Sequence, residues 1–451
     1  MTAAASTSLT KLALLGGRPV RTKPVPPHQT TGKEEREAVN RVFDNGYLSY
    51  FEGNWTPDAP FSFRGGPEVQ NLEAVWKEYY GVKHAITVNS ATSGLYAAMG
   101  ATGVGPGDEV IVSPYTMSAA AACALVYNAI PVFADVRKDI YSLDVESIRK
   151  KLTPRTKAIV VVHLFGHPAD MDPIMKLAKE KKLYVIEDCA QAHGAQYKGR
   201  PVGSLAHMGV FSLNVNKTIQ TGEGGVVTTA DDDLALKVQL IRNHAEVVVG
   251  QMNKVSLVNM LGYNYRMTEI EAAIGQVQLG RLKHFNDVRL NLASRLTERL
   301  KSLPALTPPV VLPDCRHTYY VYVIQFDPAK AGFSRALFAK AMMAEGIEFA
   351  EGYVRPLYLL PVYQKKELYG KVGCPFSCPF YKGQTDYAKG LCPTAEDLHY
   401  NKVLVNEMVR SPLGPSDMDD IADAAEKVFD HAKELTKMEA AVHPARKTTH
   451  V

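Results

Sequence analysis

The chain has 451 residues, of which 46% are hydrophobic, 22% charged and 9% aromatic, with a formal net charge of +4. That length suffices for a large core and two domains, and the scattered, nearly balanced charge argues against a nucleic-acid-binding surface. No apolar run is long enough to cross a bilayer, no basic region precedes the short Leu-Ala-Leu-Leu opening, and six cysteines make no disulfide framework, so a reducing cytoplasm is expected.

Residues 1–30 carry Pro and Thr without helical period and read as an extended N-terminal arm. Helical spacing of Ala38, Val39, Val42 and Phe43 predicts a helix that Gly46 stops, and Glu68 to Tyr80 predicts a second, after an irregular aromatic stretch from Ser49 to Gly66. Strands and helices then alternate. Strands are predicted at His84–Val88, Asp108–Ser113, Pro131–Ala134, Ala158–Leu164, Leu183–Glu187, Gly209–Leu213 and Gly225–Thr229. Helices are predicted at Ser93–Ala101, Ser118–Tyr127, Val145–Lys151 and Met171–Lys181, then Asp231–Asn243 and a long one from Met267 through Leu300. Unbroken Val/Ile runs predict strands covered on both faces, hence an α/β fold with a mostly parallel sheet sandwiched by helices. After Thr307-Pro308-Pro309 a smaller α+β domain is expected, with a strand at Tyr319–Phe326 and helices at Ser334–Glu345 and Asp417–Ala432. The expected division is an arm at 1–30, a large domain at 31–290, and a small C-terminal domain at 291–436 with an insertion at about 364–393. Residues 437–451 read as a tail.

Lys217 is the most informative residue. It lies in Phe211-Ser212-Leu213-Asn214-Val215-Asn216-Lys217, ahead of Gly222-Glu223-Gly224-Gly225, in a small-residue loop without a neighbouring carboxylate partner. Burial there favours the neutral amine, a nucleophile toward aldehydes, of which pyridoxal phosphate is the usual example. Asp188 directly follows a predicted strand, where parallel α/β sheets place their ligands. A carboxylate there serves as a helix cap, an ion-pair partner, or the anion that keeps a pyridine nitrogen protonated. Gln191, three residues on, reaches the same place. Asn89-Ser90-Ala91-Thr92-Ser93-Gly94 joins a strand to a helix, and its small residues and free amides suit a phosphate as well as a plain N-cap. Ser212 is a further strand-end hydroxyl. Cys374, Cys378 and Cys392 lack zinc spacing and a fourth ligand, and read as thiols in a loop-rich insertion.

The order of these segments resembles the sugar aminotransferases of the DegT/DnrJ/EryC1/StrS family, which have the aspartate aminotransferase fold (fold type I of pyridoxal-phosphate-dependent enzymes). The matching stretches are Asn89 to Leu95, Gly105 to Ile111, Glu187 to Ala192, Gly222 to Gly225 and Gly262-Tyr263-Asn264-Tyr265-Arg266-Met267-Thr268. The Leu12 to Gly17 opening is similar to that of members acting on cyclitols or on aminated aromatic precursors. The resemblance spans residues 12–362 and the last helix.

It implies that Lys217 forms the internal aldimine with pyridoxal 5'-phosphate and shuttles the proton, that Asp188 pairs with the pyridinium nitrogen, and that Gln191 supports the ring. It further implies that Ala91, Thr92 and Ser212 hold the phosphate, and that Asn264 reaches the phosphate of the neighbouring subunit in a homodimer with shared active sites. Met117 stands where the family usually has Phe or Trp against the ring, and sulfur can make that contact; Tyr115 is the weaker alternative. The expected activity is ping-pong transfer of an amino group from L-glutamate or L-glutamine to a keto-sugar or keto-cyclitol, with no metal. A dehydratase of the family carries histidine in place of this lysine; an aromatising synthase keeps the lysine, and a non-catalytic regulator keeps the fold. No Gly-x-Gly-x-x-Gly follows a first strand, which argues against a nicotinamide dehydrogenase. His163, His167, His193, His244 and Tyr319 are polar residues near the expected pocket for which structural roles are expected.

Overall fold

The computed structural model describes residues 11–55, 60–252, 258–370 and 373–442. The strands are β1 (His84–Val88), β2 (Glu109–Val112), β3 (Ile130–Phe133), β4 (Thr156–Val162) and β5 (Tyr184–Asp188). They continue as β6 (Gln196–Tyr197), β7 (Arg200–Pro201), β8 (Met208–Ser212) and β9 (Gly225–Thr229). A seven-stranded sheet has the order β1-β9-β8-β5-β4-β2-β3, parallel from β8 to β3, with β9 antiparallel to both neighbours. Successive strand residues point to opposite faces. Val110, Val112, Val160 and Val162 enter one core, whereas Ile111, Ile159, Val161 and Val185 enter the other. Both faces are therefore dry, as the continuous apolar runs require.

The helix Glu269–Leu300 opens with a capping box of Thr268 and Glu271. Its first half packs on the helices Lys33–Asn45 and Pro67–Tyr80, and it also packs on the helix Pro415–Asp430. The boundary expected near residue 290 thus falls inside one continuous helix. Beyond it, β10 (Leu306–Thr307), β12 (Tyr322–Phe326), β13 (Ala350–Glu351) and β14 (Val403–Asn406) form an antiparallel sheet in the order β10-β12-β14-β13. This sheet has its own core of Ile324, Phe326, Phe338, Leu404, Ile421 and Val428. β11 (Cys315–Arg316) pairs with β6 in a separate three-stranded sheet, β11-β6-β7, which ties the C-terminal segment to the connection between β5 and β8. The strand expected from Tyr319 begins only at Tyr322, because Tyr319 adopts a left-handed φ of 49° that turns the chain.

The insertion packs on the large domain. Tyr381 Oη donates to Glu109 Oε1 (3.0 Å), Tyr387 Oη to the Pro131 carbonyl (2.9 Å) and Tyr369 Oη to the Leu125 carbonyl (3.0 Å). Phe376 is buried in the same large-domain core. These anchors cover β3, the edge strand, whose unpaired backbone would otherwise stand open. All six cysteines are free thiols, and the Cys392 thiol lies 3.9 Å from the Phe133 carbonyl. Among the described residues, no metal-sized group of ligands includes Cys374, Cys378 or Cys392. The expected tail from 437 is helical up to Val442 in the helix Ala432–Val442, and 443–451 lie outside the described residues. No helix among the described residues is long and apolar enough to cross a membrane.

Candidate active site

The C-terminal ends of β1, β5 and β8 open onto a cavity of about 520 Å³. Its β1 side is the start of the helix Ala91–Ala101. Ser90 Oγ accepts the Ser93 N–H (3.0 Å) and Ser93 Oγ accepts the Ser90 N–H (3.2 Å), so the cap leaves the Ala91 and Thr92 amides for a ligand. Gly225 on β9 makes room: a Cβ there would lie 2.8 Å from the Ala91 nitrogen. Ala91, Thr92 and Ser212 all line the cavity. Free amides at a positive helix end beside hydroxyls suit a phosphate.

Asp188 ends β5 at the cavity floor, buried, and accepts one hydrogen bond, from the Ala190 N–H (3.1 Å). Burial pushes its carboxyl above the ordinary range, against the Ala190 amide and the charges of Lys217 and His163. Lys217 enters from the β8–β9 loop, half-buried. Burial pulls its amine below the ordinary lysine value, and Asp188 opposes that shift. Its Nζ lies 3.4 Å from Tyr320 Oη. A lysine amine whose charge burial disfavours and a buried carboxyl group therefore line one cavity with an anion cradle.

Gln191 lines the cavity but is held from behind: its Oε1 accepts the Phe165 N–H (2.8 Å) and its Nε2 donates to Tyr353 Oη (2.7 Å). Met117 lies at the mouth, 57% exposed, while Tyr115 is fully buried against Phe165 and Tyr353 and does not line the cavity. Asn264 is exposed and outside this chain's cavity; its Oδ1 accepts from Arg266 Nε (2.8 Å).

The other polar residues are built into the scaffold. His163 Nε2 donates to Glu187 (2.9 Å) while its Nδ1 accepts the Ala169 N–H (2.9 Å). Glu187 also accepts the amides of Gly203, Leu205 and Ala206, each at 2.8 Å. With Cys189 these two are close enough to hold a metal ion, yet the histidine and the carboxylate are already saturated by protein donors, which leaves no ligand atoms. His167 Nε2 accepts the Leu312 N–H (3.0 Å), His193 packs on Phe211, and His244 is half-buried. Tyr319 stacks on His317 at 3.9 Å, turned from the cavity. Its neighbour Tyr320 lines the cavity instead, as do Tyr353 and Glu407 from the C-terminal segments and Glu223 from the lysine loop. The sequence reading missed these four. Only Glu223, inside the glycine-rich loop, had a local signal.

Residues 60–385 match the DegT/DnrJ/EryC1/StrS aminotransferase family. The L-glutamine:2-deoxy-scyllo-inosose aminotransferase of Streptomyces lividus is 34% identical over 436 residues, 94% of this chain and 99% of the relative. The GDP-perosamine synthase of Caulobacter vibrioides is 39% identical over 299 residues, 66% of this chain and 79% of the relative. Among solved structures, an aminotransferase from Psychrobacter cryohalolentis superposes with a TM-score of 0.75 at 30% identity, covering 91% of this chain and all of that one. A phosphate cradle, a buried carboxylate and a lysine amine on one wall are the contacts that pyridoxal phosphate needs. The chain belongs to the DegT/DnrJ/EryC1/StrS family and is a pyridoxal-phosphate-dependent aminotransferase.

Proposed function

We propose that this enzyme transfers the amino group of L-glutamine or L-glutamate to a keto-cyclitol, or a keto-sugar without a nucleotide, in the reducing cytoplasm. The observation that carries the acceptor class is the extent of the match. The cyclitol aminotransferase of S. lividus aligns over 94% of this chain, whereas the synthase named for a GDP-linked sugar aligns over 66%. The charge of the cavity agrees. Lys217 is the one basic side chain among its described lining residues, facing Asp188, Glu223 and Glu407. A nucleotide diphosphate would enter without a cation to meet it.

When bound, pyridoxal phosphate supplies the aldehyde that takes up the donor's nitrogen and a ring that accepts electrons from its α-carbon. The chain's own groups do the rest. Lys217 would be the nucleophile that holds the cofactor and, when its amine is free, the base that takes the proton from the donor's α-carbon. Asp188, buried and with little competing hydrogen bonding, would hold a proton at the ring nitrogen. The Ala91 and Thr92 amides and Ser212 would bind the phosphate, Met117 would cover the ring, and Gln191, braced by Phe165 and Tyr353, would support it. The donor leaves as a 2-oxo acid before the ketone enters, and the same lysine returns the proton.

We place Asn264 in the partner subunit's site. It is exposed, outside its own cavity, and its neighbour Leu261 is 63% exposed, as a residue covered by a second copy would be. Mixing inactive Lys217→Ala and Asn264→Asp chains then restores about a quarter of wild-type activity, since half the dimers carry one intact site of two. No recovery, in a mixture shown to exchange subunits, refutes sharing of the site.

The function is tested by giving the cofactor-loaded enzyme glutamine or glutamate with 2-deoxy-scyllo-inosose or a GDP-linked keto-sugar, and following the 2-oxo acid and the aminated product by mass spectrometry. The cyclitol is expected to be used at least about 100-fold more efficiently, a difference of about 2.7 kcal/mol in transition-state binding. Preference for the nucleotide sugar overturns the acceptor assignment, and a product formed without 2-oxo acid points to dehydration or aromatisation.

A further inference from the structure

The Lys217 amine is not free in its cavity. Its Nζ stands 4.7 Å from the centroid of the Tyr320 ring as well as 3.4 Å from the hydroxyl, so one side chain meets it through a π face and a hydrogen bond. Tyr320 is held in place from behind. Its N–H donates to the Phe165 carbonyl (2.9 Å), and Arg289 Nη1 donates to the carbonyls of Tyr319 (2.9 Å), Tyr320 (3.0 Å) and Val409 (3.2 Å). Arg289 is 3% exposed and forms no salt bridge among the described residues. A cation buried on carbonyl oxygens alone is unfavourable, and here it fixes the left-handed turn at Tyr319 that aims Tyr320 at the lysine. The same bonds tie in Val409, two residues after Glu407, which also lines the cavity.

We propose that Tyr320 is a catalytic residue: its ring and hydroxyl hold the Lys217 amine while it is detached and set the proton affinity with which it works. The proposal rests on Lys217 being the cofactor lysine. The other groups facing this amine are Asp188 at the floor, Glu223 and Glu407 at the mouth, Tyr353 on the wall, and His193 behind it. His28 Nε2 sits 3.3 Å from the Lys217 carbonyl. Burial, and after it the Lys217 charge, pull His193 down to about 3, so it stays neutral and leaves the field to the carboxylates. Burial pushes the Tyr320 phenol up, so it stays protonated and acts as a partner rather than a base. Burial favours the neutral amine of Lys217, while a π face and a hydroxyl oxygen favour the ammonium. Their balance decides at what pH the lysine is a nucleophile.

The test measures, across pH, the rate at which cofactor-free protein captures pyridoxal phosphate, read from the visible absorption band, for wild type, Tyr320→Phe and Tyr320→Leu. The Phe variant keeps the ring and the packed volume, and its midpoint is expected to fall by about 0.5–1 pH unit, a three- to tenfold change in the amine's proton affinity. The Leu variant, lacking both contacts, falls further. In the loaded enzyme kcat drops about tenfold or more with the donor KM little changed. Midpoints within about 0.2 pH unit of wild type in the Phe variant overturn the proposal, whether or not the Leu variant folds. Equal shifts in both variants remove the ring from it. Borohydride reduction of the wild type followed by peptide mapping separates the two layers: no label on Lys217 sinks the lysine assignment, whereas a labelled Lys217 with unmoved midpoints sinks only the role of Tyr320.

Discussion

Glu187 and Asp188 are consecutive residues of one strand, both acidic and both buried, and they do opposite things. Their side chains leave β5 on opposite faces, as neighbours in a strand must. Glu187 meets His163 and three backbone amides. Asp188 meets a single amide and the cavity. A buried carboxylate surrounded by donors is a structural node whose charge is already spent on the fold. One held in a dry wall with few donors keeps its charge for whatever binds. Burial and residue type alone do not separate the two; the count of partners does.

Exchanging each for its amide should split stability from chemistry. Asp188→Asn is expected to lower kcat/KM by about 100- to 1000-fold, because a fixed charge opposite the ring nitrogen is lost. The cofactor-free Asn variant should be as stable as wild type or more so near neutral pH. The sign follows from linkage. The folded-state value of Asp188 is raised, so its contribution to stability is present below the ordinary carboxylate range and is lost as pH climbs through the raised value. An amide there has no ionisation to oppose folding. Thermal unfolding from pH 4 to 8 checks this, and a less stable variant at pH 7 contradicts it.

Glu187→Gln should do the reverse. An amide can accept some of the four bonds but brings two donors among groups that only donate, for a loss of about 2–4 kcal/mol. Activity per folded molecule is expected to stay within about twofold, since no catalytic charge changes. Denaturant unfolding alongside kcat on the folded fraction measures both. A Gln variant of full stability and no activity would erase the distinction between the two acids.

The same contrast explains what was legible beforehand. The floor of the site was readable because its parts are short contiguous segments at strand ends: Asn89 to Gly94, Asp188 to Gln191 and Ser212 to Lys217. In each, strand period and turn chemistry fix where the residue emerges. The sheet was legible for the same reason, since unbroken Val/Ile runs leave few alternatives. The upper wall was not. Tyr320 escaped and Tyr319 was named because the left-handed turn at Tyr319 breaks the alternation that would have assigned faces. Tyr353 and Glu407 arrive on separate loops from distant parts of the chain, and only long-range packing brings them to Lys217. The insertion was placed by sequence position in the small domain, although its tyrosines grip β2, β3 and the helix Ala119–Leu125 of the large one.

That insertion supplies the gentlest trial of the rule, through a third buried acid. Glu109 accepts from Thr153 Oγ1 (2.5 Å), Arg155 Nε (2.9 Å) and Tyr381 Oη (3.0 Å), and the Arg155 guanidinium carbon lies 5.6 Å from the Tyr381 ring centroid. By its partner count Glu109 belongs with Glu187. Tyr381→Phe removes one of three donors while leaving the ring packed and the ion pair intact, so a loss of about 1 kcal/mol is expected, with kcat and KM unchanged. The insertion should also loosen locally, and faster proteolysis between residues 373 and 392 would report it before global unfolding does. A change in acceptor KM without that loosening would instead tie the insertion to the active site, and partner count would no longer tell scaffold from chemistry.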